Sequence, residues 1–143
     1  VAAYAANAKT ASKRFGELKT WAKVEIAKID RADRKLVTAH NAFGYFCKEF
    51  GFEPISILGV SRSDDSSLKH VTESIANIRE NGIKAAFPED QANPKVLAEI
   101  VRSTGVKMGD PLVADGTAKH AHTFETMIAH NVRAIVAALG TTK

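Results

Sequence analysis

The sequence contains a single cysteine, Cys47, so no disulfide bond can form within the chain. Cys47 follows two aromatic residues in a segment of helical character, and we expect a buried thiol there rather than a nucleophile or metal ligand. No apolar run approaches the roughly 20 residues that a membrane-spanning helix needs. The sequence also lacks the His-Glu-x-x-His, Cys-x-x-Cys and phosphate-loop motifs, so it gives no indication of a zincin protease, a thiol redox protein or a nucleotide hydrolase.

The excess of positive charge is small. Lys and Arg number 20 against 16 Asp and Glu, which gives a formal net charge of +4. The basic residues are distributed among acidic ones, without a Lys/Arg block and without interleaved aromatic residues, so nucleic-acid binding is not expected. The 143 residues, 45% hydrophobic and 25% charged, suffice for one globular domain with a proper core.

The first 29 residues predict one long helix. They contain neither proline nor a turn cluster, and apolar side chains recur every three or four positions. Such a helix would be on the order of 40 Å long, more than a small domain needs to cover its own sheet. It either packs along the domain or is a spine that supports something beyond it. The apolar stripe consists of Val1, Tyr4, Ala8, Ala11, Phe15, Leu18, Ala22 and Ile29.

Short β-prone runs alternate with helical segments through the rest of the chain. This alternation predicts an α/β fold, with a mostly parallel four-stranded sheet flanked by helices and preceded by the long N-terminal helix. The predicted strands are residues 35–39, 54–60, 83–87 and an interrupted strand at 106–114. The predicted helices are residues 42–50, a helix from an N-cap at Ser66 or Ser67 to about residue 80, residues 93–104 and residues 122–139.

Polar side chains follow each predicted strand. His40 comes after the first strand, Ser61 after the second, Glu89 after the third and Asp115 after the fourth. Parallel sheets bind ligands at the carboxyl ends of their strands, so these side chains indicate a site at that edge. A histidine nitrogen and an aspartate oxygen suit zinc and are acceptable to manganese. Two protein ligands leave a zinc site incomplete, so either further ligands come from another lobe or chain, or this is no metal site.

Two other hypotheses remain open at this point. In the first, a small α/β enzyme uses His40 as a general base with Asp115 or Glu89 as its partner. It predicts a hydrogen bond between His40 and a carboxylate, with a closed pocket above the pair. In the second, the chain is an adhesion or interaction module that acts through the long helix and presents a large apolar interface.

Residues 34–46 (RKLVTAHNAFGYF) resemble the ligand-bearing segment of the TroA-like, or ZnuA-like, metal-binding proteins of ABC importers. The usual form of that segment is a strand followed by His-Asp-Ala-Phe-Gly-Tyr-Phe. The similarity extends over nearly all of the chain from Arg34, and the initial helix suits the interdomain helix of that family. Further matching segments, in order, are residues 57–61 (ILGVS), 83–89 (IKAAFPE), 112–115 (LVAD) and 123–132 (TFETMIAHNV).

The resemblance implies two α/β lobes joined by a long helix, with a metal ion between them and two ligands from each lobe. Residues 1–29 would be the interdomain backbone helix and residues 30–143 the C-terminal metal-binding lobe, with the N-terminal lobe absent. His40 and Asp115 would be the metal ligands, and Glu89 would orient a ligand or a bound water. A histidine at position 40 favours zinc, with manganese as the alternative, while Asn41 replaces the usual aspartate.

The expected function is metal binding within an extracytoplasmic solute-binding protein, periplasmic or attached to the cell surface, that delivers zinc to an ABC permease. Catalysis is not expected. The sequence begins at Val1 without an initiator Met or a positively charged, apolar leader, so we expect a mature or trimmed product. We expect the chain alone to bind zinc weakly, because two ligands leave half the coordination sphere to water. The exposed stripe of the long helix (Tyr4, Phe15, Leu18) would favour self-association or domain swapping.

Overall fold

A computed structural model describes residues 2–57, 68–90, 95–114, 116 and 118–141. Within these ranges, five α-helices and four short strands alternate, and no helix is both long and apolar enough to cross a membrane. The helices are α1 (Ala2–Ile26), α2 (Gly44–Phe50), α3 (Leu68–Glu80), α4 (Lys95–Thr104) and α5 (Phe124–Leu139). The strands are β1 (Lys35–Thr38), β2 (Glu53–Ser56), β3 (Ala85–Phe87) and β4 (Lys107–Met108).

The four strands form one parallel sheet in the order β2-β1-β3-β4, which confirms the predicted α/β class. From β1 the chain moves to one side to form β2, and then returns to place β3 on the other side of β1. The connections that follow β1 and β3 therefore lead away from each other. In sheets of this kind, the resulting crevice at the carboxyl ends of the two strands is where ligands bind.

Alternate residues of the central strands pack on opposite faces of the sheet, so both faces are covered by helices. Leu36 of β1 contacts the cluster formed by α1, α2 and α5, whereas its neighbour Val37 contacts the cluster formed by α3 and α4. In β3, Phe87 belongs to the first cluster and Ala86 to the second. The helical members of the first cluster include Ala22, Ile26, Cys47, Val132 and Ile135, and those of the second include Ile78, Leu97 and Ile100.

Most element boundaries differ from the predicted ones by a few residues, but the fourth strand spans only Lys107–Met108 instead of residues 106–114. Helix α1 ends at Ile26 rather than near Ile29, because the amides of Lys28 and Ile29 bond to carbonyls three residues back and tighten the last turn. Strand β2 begins one residue earlier than predicted, at Glu53, and β3 begins at Ala85 rather than at Ile83. The predicted strand residues 58–60 and the predicted N-cap at Ser66 or Ser67 lie outside the described residues.

Helix α1 runs parallel to α5. Contacts advance in the same direction along both segments: Arg14 and Phe15 contact Glu125 and Phe124, Trp21 contacts Arg133 further along, and Lys28 contacts Thr141 last. Residues 2–13 therefore extend past the first turn of α5 by about 18 Å. Because α5 begins at the carboxyl edge of the sheet, the projecting part of α1 lies on the same side as the ends of β1 and β3.

Gly109 allows the end of β4 to pass closely over the ring of Phe87. A Cβ atom at this position would lie 2.3 Å from two ring carbons of that fully buried side chain. The amide of Gly109 meanwhile donates to the carbonyl of Ala86 at 2.9 Å and so continues the ladder between β3 and β4. The glycine that interrupts the predicted fourth strand is thus required by the space beside β3.

Candidate metal centre

His40 and Glu89 meet at the crevice between β1 and β3. The last paired residues of the two strands are Thr38 and Phe87, and His40 and Glu89 each lie two residues beyond them. The backbone amide of His40 donates to Oε1 of Glu89 at 2.8 Å. The ring nitrogen Nδ1 of His40 lies 3.3 Å from Oε1 and 3.2 Å from Oε2 of the same carboxylate. The structure thus brings together two of the side chains predicted from the sequence.

The contact with Glu89 determines which ring nitrogen of His40 is available. An ionised carboxylate only accepts hydrogen bonds, so in the neutral imidazole the hydrogen is on Nδ1 and Nε2 keeps its lone pair. Glu89 is 5% exposed, and the His40 side chain is 13% exposed, so the pair lies mostly out of water with part of the ring accessible. Metal-binding histidines commonly donate their second ring nitrogen to a carboxylate in this way. The geometry therefore fits a metal ion at Nε2.

The carbonyl oxygen of His40 also accepts two hydrogen bonds. The hydroxyl of Thr38 donates to the carbonyl oxygen of His40 at 2.6 Å, and the amide of Ala42 donates to the same oxygen at 3.0 Å. Thr38 is buried at the end of β1, and Ala39 is buried after it. The turn that presents His40 is thus fixed both by its own backbone and by the neighbouring strand.

The segment after β4 returns to the same crevice. Ala86 pairs with Met108, and Glu89 pairs with Leu112. Two residues lie between the first pair and the second on the β3 side, and three on the β4 side, so the β4 side accommodates one extra residue. The amide of Leu112 donates to the carbonyl of Pro88 at 2.8 Å, and the amide of Asp90 donates to the carbonyl of Leu112 at 2.7 Å. This segment leads into Asp115.

Only two of the four predicted strand-end residues, His40 and Glu89, belong to the part of the chain that the structure describes. Asp115, predicted as the second ligand, and Ser61 both lie outside the described residues. Among the described residues, no group of three or more His, Cys, Asp or Glu side chains is arranged to hold a metal ion. The described part of the candidate centre is therefore the pair of His40 and Glu89.

Two polar residues of α5 contact this segment and were not predicted as site residues. The side chain of Asn131 accepts from the amide of Val113 at 2.9 Å and donates to its carbonyl at 3.0 Å. Nε2 of His130 lies 2.8 Å from the carbonyl oxygen of Pro111. Both residues fall within the predicted helix at 122–139, and the sequence pattern gave neither of them a role in the site. An amide within the apolar face of a helix was the signal that could have indicated Asn131.

The side chains of three other histidines, His120, His122 and His130, are described. The rings of His120 and His130 are 4.4 Å apart between centroids, beside a groove of about 830 Å³ between α1 and α5. His122 is exposed, next to the N-cap of α5. Among the described residues, no metal-holding group includes His120 or His122.

Comparison with known proteins identifies relatives for nearly the whole chain. The profile of the family described as ZnuA, the periplasmic component A of a zinc-uptake complex, matches residues 1–138. The manganese-binding lipoprotein MntA of Bacillus subtilis is 34% identical over an alignment of 145 residues, which covers 96% of this chain and 47% of MntA. The zinc-binding protein TroA of Treponema pallidum is 37% identical over 116 residues, covering 74% of this chain and 37% of TroA.

Solved structures agree with the fold. The periplasmic zinc-binding protein TroA from Treponema pallidum superposes with a TM-score of 0.85 at 28% identity, over 93% of this chain and 52% of that protein. A manganese-bound periplasmic metal-binding protein from Candidatus Liberibacter asiaticus gives a TM-score of 0.86 at 23% identity, which supports the fold alone. The chain spans about half the length, or less, of the relatives it matches.

These matches separate the hypotheses that the His40–Glu89 contact leaves open. A carboxylate bonded to an imidazole can support either a general base or a metal ligand. All of the relatives named above are described as proteins that bind or take up metal ions. The enzyme and adhesion hypotheses find no support among them.

Proposed function

The chain belongs to the ZnuA family of periplasmic zinc-uptake components, and on that premise we propose that it is the metal-binding lobe of an extracytoplasmic solute-binding protein that delivers zinc to an ABC importer. The observation that carries this proposal is the contact of the buried Glu89 carboxylate with both the backbone amide and the ring nitrogen Nδ1 of His40, at the crevice of the sheet. A solute-binding protein must hold its cargo and release it unchanged, so its site needs ligands and no reactive group. We therefore propose binding and not catalysis.

In this proposal, Nε2 of His40 and a carboxylate oxygen of Asp115 are the two ligands that this lobe contributes. Glu89 does not touch the ion; it keeps the hydrogen of His40 on Nδ1 and fixes the plane of the ring. Support for Asp115 comes from the chain that precedes it, because Leu112 pairs with Glu89 in the same crevice. A neutral histidine and one carboxylate leave the remaining coordination positions of a divalent cation to other donors.

We propose that those donors belong to an N-terminal lobe, and that residues 1–29 form the helix that joins it to residues 30–143. Two observations support this assignment. The chain spans about half of its relatives, and α1 projects past the first turn of α5 on the side of the sheet where His40 lies. A lobe attached there would face His40 across the cleft. Without it, we expect weak binding of zinc.

The proposed cargo is zinc, with manganese as the alternative. Imidazole nitrogen suits zinc better than it suits manganese, which favours oxygen donors. The relatives include proteins named for each of the two metals. Since those relatives are periplasmic proteins or lipoproteins, we propose that this chain acts outside the cytoplasmic membrane.

The apolar stripe of α1 supports a more limited proposal of self-association. Phe15 contacts Phe124 within the chain and Leu18 is half-buried, so both already have partners. Tyr4 is 82% exposed on the projecting part of the helix. We propose that this part is covered by the N-terminal lobe, or by a second copy when that lobe is missing.

Zinc titration of the chain and of three variants by calorimetry tests the proposal. We expect wild type to bind one zinc ion weakly, and His40→Ala and Asp115→Ala to abolish that binding. His122→Ala removes an exposed histidine elsewhere and is expected to bind as wild type does. Unchanged binding in His40→Ala would overturn the assignment of the site. Tight one-to-one binding by the isolated monomer would contradict the need for a second lobe.

A further inference from the structure

We infer that Asn131 is a positioning residue for the metal centre. It fixes the main chain at Val113, in the segment that follows β4, pairs with Glu89 through Leu112 and leads into Asp115. This inference rests on the proposed function. It concerns the described residues 111–114 and their contacts with α5, since Asp115 itself lies outside the described residues.

Asn131 holds both polar groups of a single backbone unit. Its Oδ1 accepts from the amide of Val113 at 2.9 Å, and its Nδ2 donates to the carbonyl of Val113 at 3.0 Å. The side chain is 2% exposed and belongs to the buried face of α5, together with Val132 and Ile135. Burying an amide is unfavourable unless its hydrogen bonds are made. The two bonds satisfy that requirement at one defined position of the chain, which apolar packing alone would not specify.

With the bonds of Asn131, each of residues 111–113 has a main-chain contact with α5 or with the residues next to Glu89. The carbonyl of Pro111 contacts His130, and the amide and carbonyl of Leu112 bond to Pro88 and Asp90 on either side of Glu89. The amide and carbonyl of Val113 bond to Asn131. The segment is thus held by α5 on one side and by the Glu89 segment on the other. Since Glu89 in turn grips His40, a displacement of Val113 would alter the spacing between the two proposed ligands.

The signal expected from such a role is a loss of metal affinity in protein that is still folded. Groups that orient metal ligands through hydrogen bonds typically change affinity by about 10-fold or more when they are removed. Asn131→Leu removes both bonds to Val113. Asn131→Asp keeps an acceptor for the amide of Val113 but turns a second oxygen toward its carbonyl, so it serves as the second variant if Asn131→Leu does not fold.

The matched control is Val132→Ala. Val132 is the next residue of α5 and is fully buried, so its truncation weakens packing of the same helix without removing a bond to residues 111–113. Zinc affinity is measured by calorimetry for the whole chain at a temperature where circular dichroism shows every variant folded. The absorption bands of bound Co(II) report the ligand geometry, and His40→Ala and Asp115→Ala are titrated in the same series.

We expect the Asn131 variants to bind zinc about 10-fold more weakly and to shift the Co(II) bands, while Val132→Ala keeps wild-type affinity and bands despite lower stability. The inference is overturned if folded Asn131 variants bind as wild type does, or if Val132→Ala loses as much affinity as they do. In either case the loss of binding in His40→Ala and Asp115→Ala would leave the proposed function standing. Unchanged binding in those two variants would instead overturn the proposed function.

Discussion

The carboxylate of Glu89 holds His40 both by its backbone amide, at 2.8 Å, and by its ring nitrogen Nδ1, at 3.2 Å, although 49 positions separate the two residues. A contact with the ring alone would set the tautomer but leave the ring free to translate with its loop. The additional contact with the amide fixes the loop to the neighbouring strand. One buried acidic side chain therefore sets both the tautomer of the neutral ring and the position of the proposed ligand.

Replacement of Glu89 by glutamine should weaken zinc binding by about 10- to 100-fold. Its side-chain amide would offer hydrogens toward Nδ1, which favours placing the ring hydrogen on Nε2, where it blocks the metal. Calorimetry gives the affinity, and the nitrogen chemical shifts of His40 give the tautomer.

Glu99→Gln is the control for that substitution, because Glu99 lies on the surface of α4 and pairs only locally with Arg102 among the described contacts. We expect it to bind as wild type does. Retention of full affinity in Glu89→Gln, with the hydrogen of His40 still on Nδ1, would show that Glu89 has no role in preparing the ligand.

Gly109→Ala should lower the free energy of unfolding by about 1–3 kcal/mol, because the new methyl group would overlap the ring of Phe87 in a packed core. Gly16→Ala is the matched substitution. No atom lies within 4 Å of a Cβ at position 16, and glycine is less favourable than alanine inside a helix by roughly 0.5–1 kcal/mol. Urea denaturation should therefore show opposite signs for the two variants. Equal stabilities would contradict the close approach of β4 to Phe87.

Cys47 should be unreactive in the folded chain and should make stability depend on pH in alkaline solution. Burial raises the pKa of its thiol from 9.0 to about 11, because the thiolate would lose its hydration. The folded chain then retains a proton that the unfolded chain has released, so stability is full below pH 9 and is lost as the pH rises toward 11. The expected loss is about 1.4 kcal/mol per pH unit in that range.

Denaturant unfolding at several pH values, for wild type and Cys47→Ala, isolates this contribution. The variant should lack the part of the alkaline slope that Cys47 causes, since the remaining titrating groups are the same. Rapid reaction of a thiol reagent with folded wild-type protein at neutral pH would show that Cys47 is accessible.

Removal of residues 1–12 should change the free energy of unfolding by less than about 1 kcal/mol, because the deleted part of α1 projects beyond α5 and is nearly all exposed. Removal of residues 1–21 should cost about 2 kcal/mol or more. It deletes the ring contact of Phe15 with Phe124 and the stacking of Arg133 on Trp21. Thermal unfolding of both truncations provides the comparison. A large effect of the shorter deletion would mean that the projecting part packs on the domain.

Periodicity and strand-end position were sufficient to predict the class of fold and the edge of the sheet at which His40 and Glu89 lie. Leu36 and Val37 pack on opposite faces as alternation requires, and His40 and Glu89 meet because parallel strands end at one edge. The order of the strands was not predictable in this way, since local patterns do not state which strands are neighbours. That order places β1 beside β3 and so creates the crevice.

The residues that hold the candidate site in place could not be predicted from the sequence for a similar reason. Asn131 bonds to the backbone of Val113, which is 18 positions away in the sequence. Every residue has a carbonyl and nearly every residue an amide, so the sequence does not indicate which of them a side chain will bond to. The requirement for glycine at position 109 likewise depends on the space beside Phe87, which lies 22 positions away in the sequence. Long-range contacts with the main chain therefore have to be read from the structure.

Anomalous scattering at the zinc absorption edge, from crystals of the zinc-loaded chain, tests the central claim most directly. We expect one strong peak about 2.0–2.1 Å from Nε2 of His40, with an oxygen of Asp115 also in the coordination sphere and Glu89 still bonded to Nδ1. A single peak at His120 and His130 instead, or Asp115 on a different face of the molecule from His40, would contradict the account.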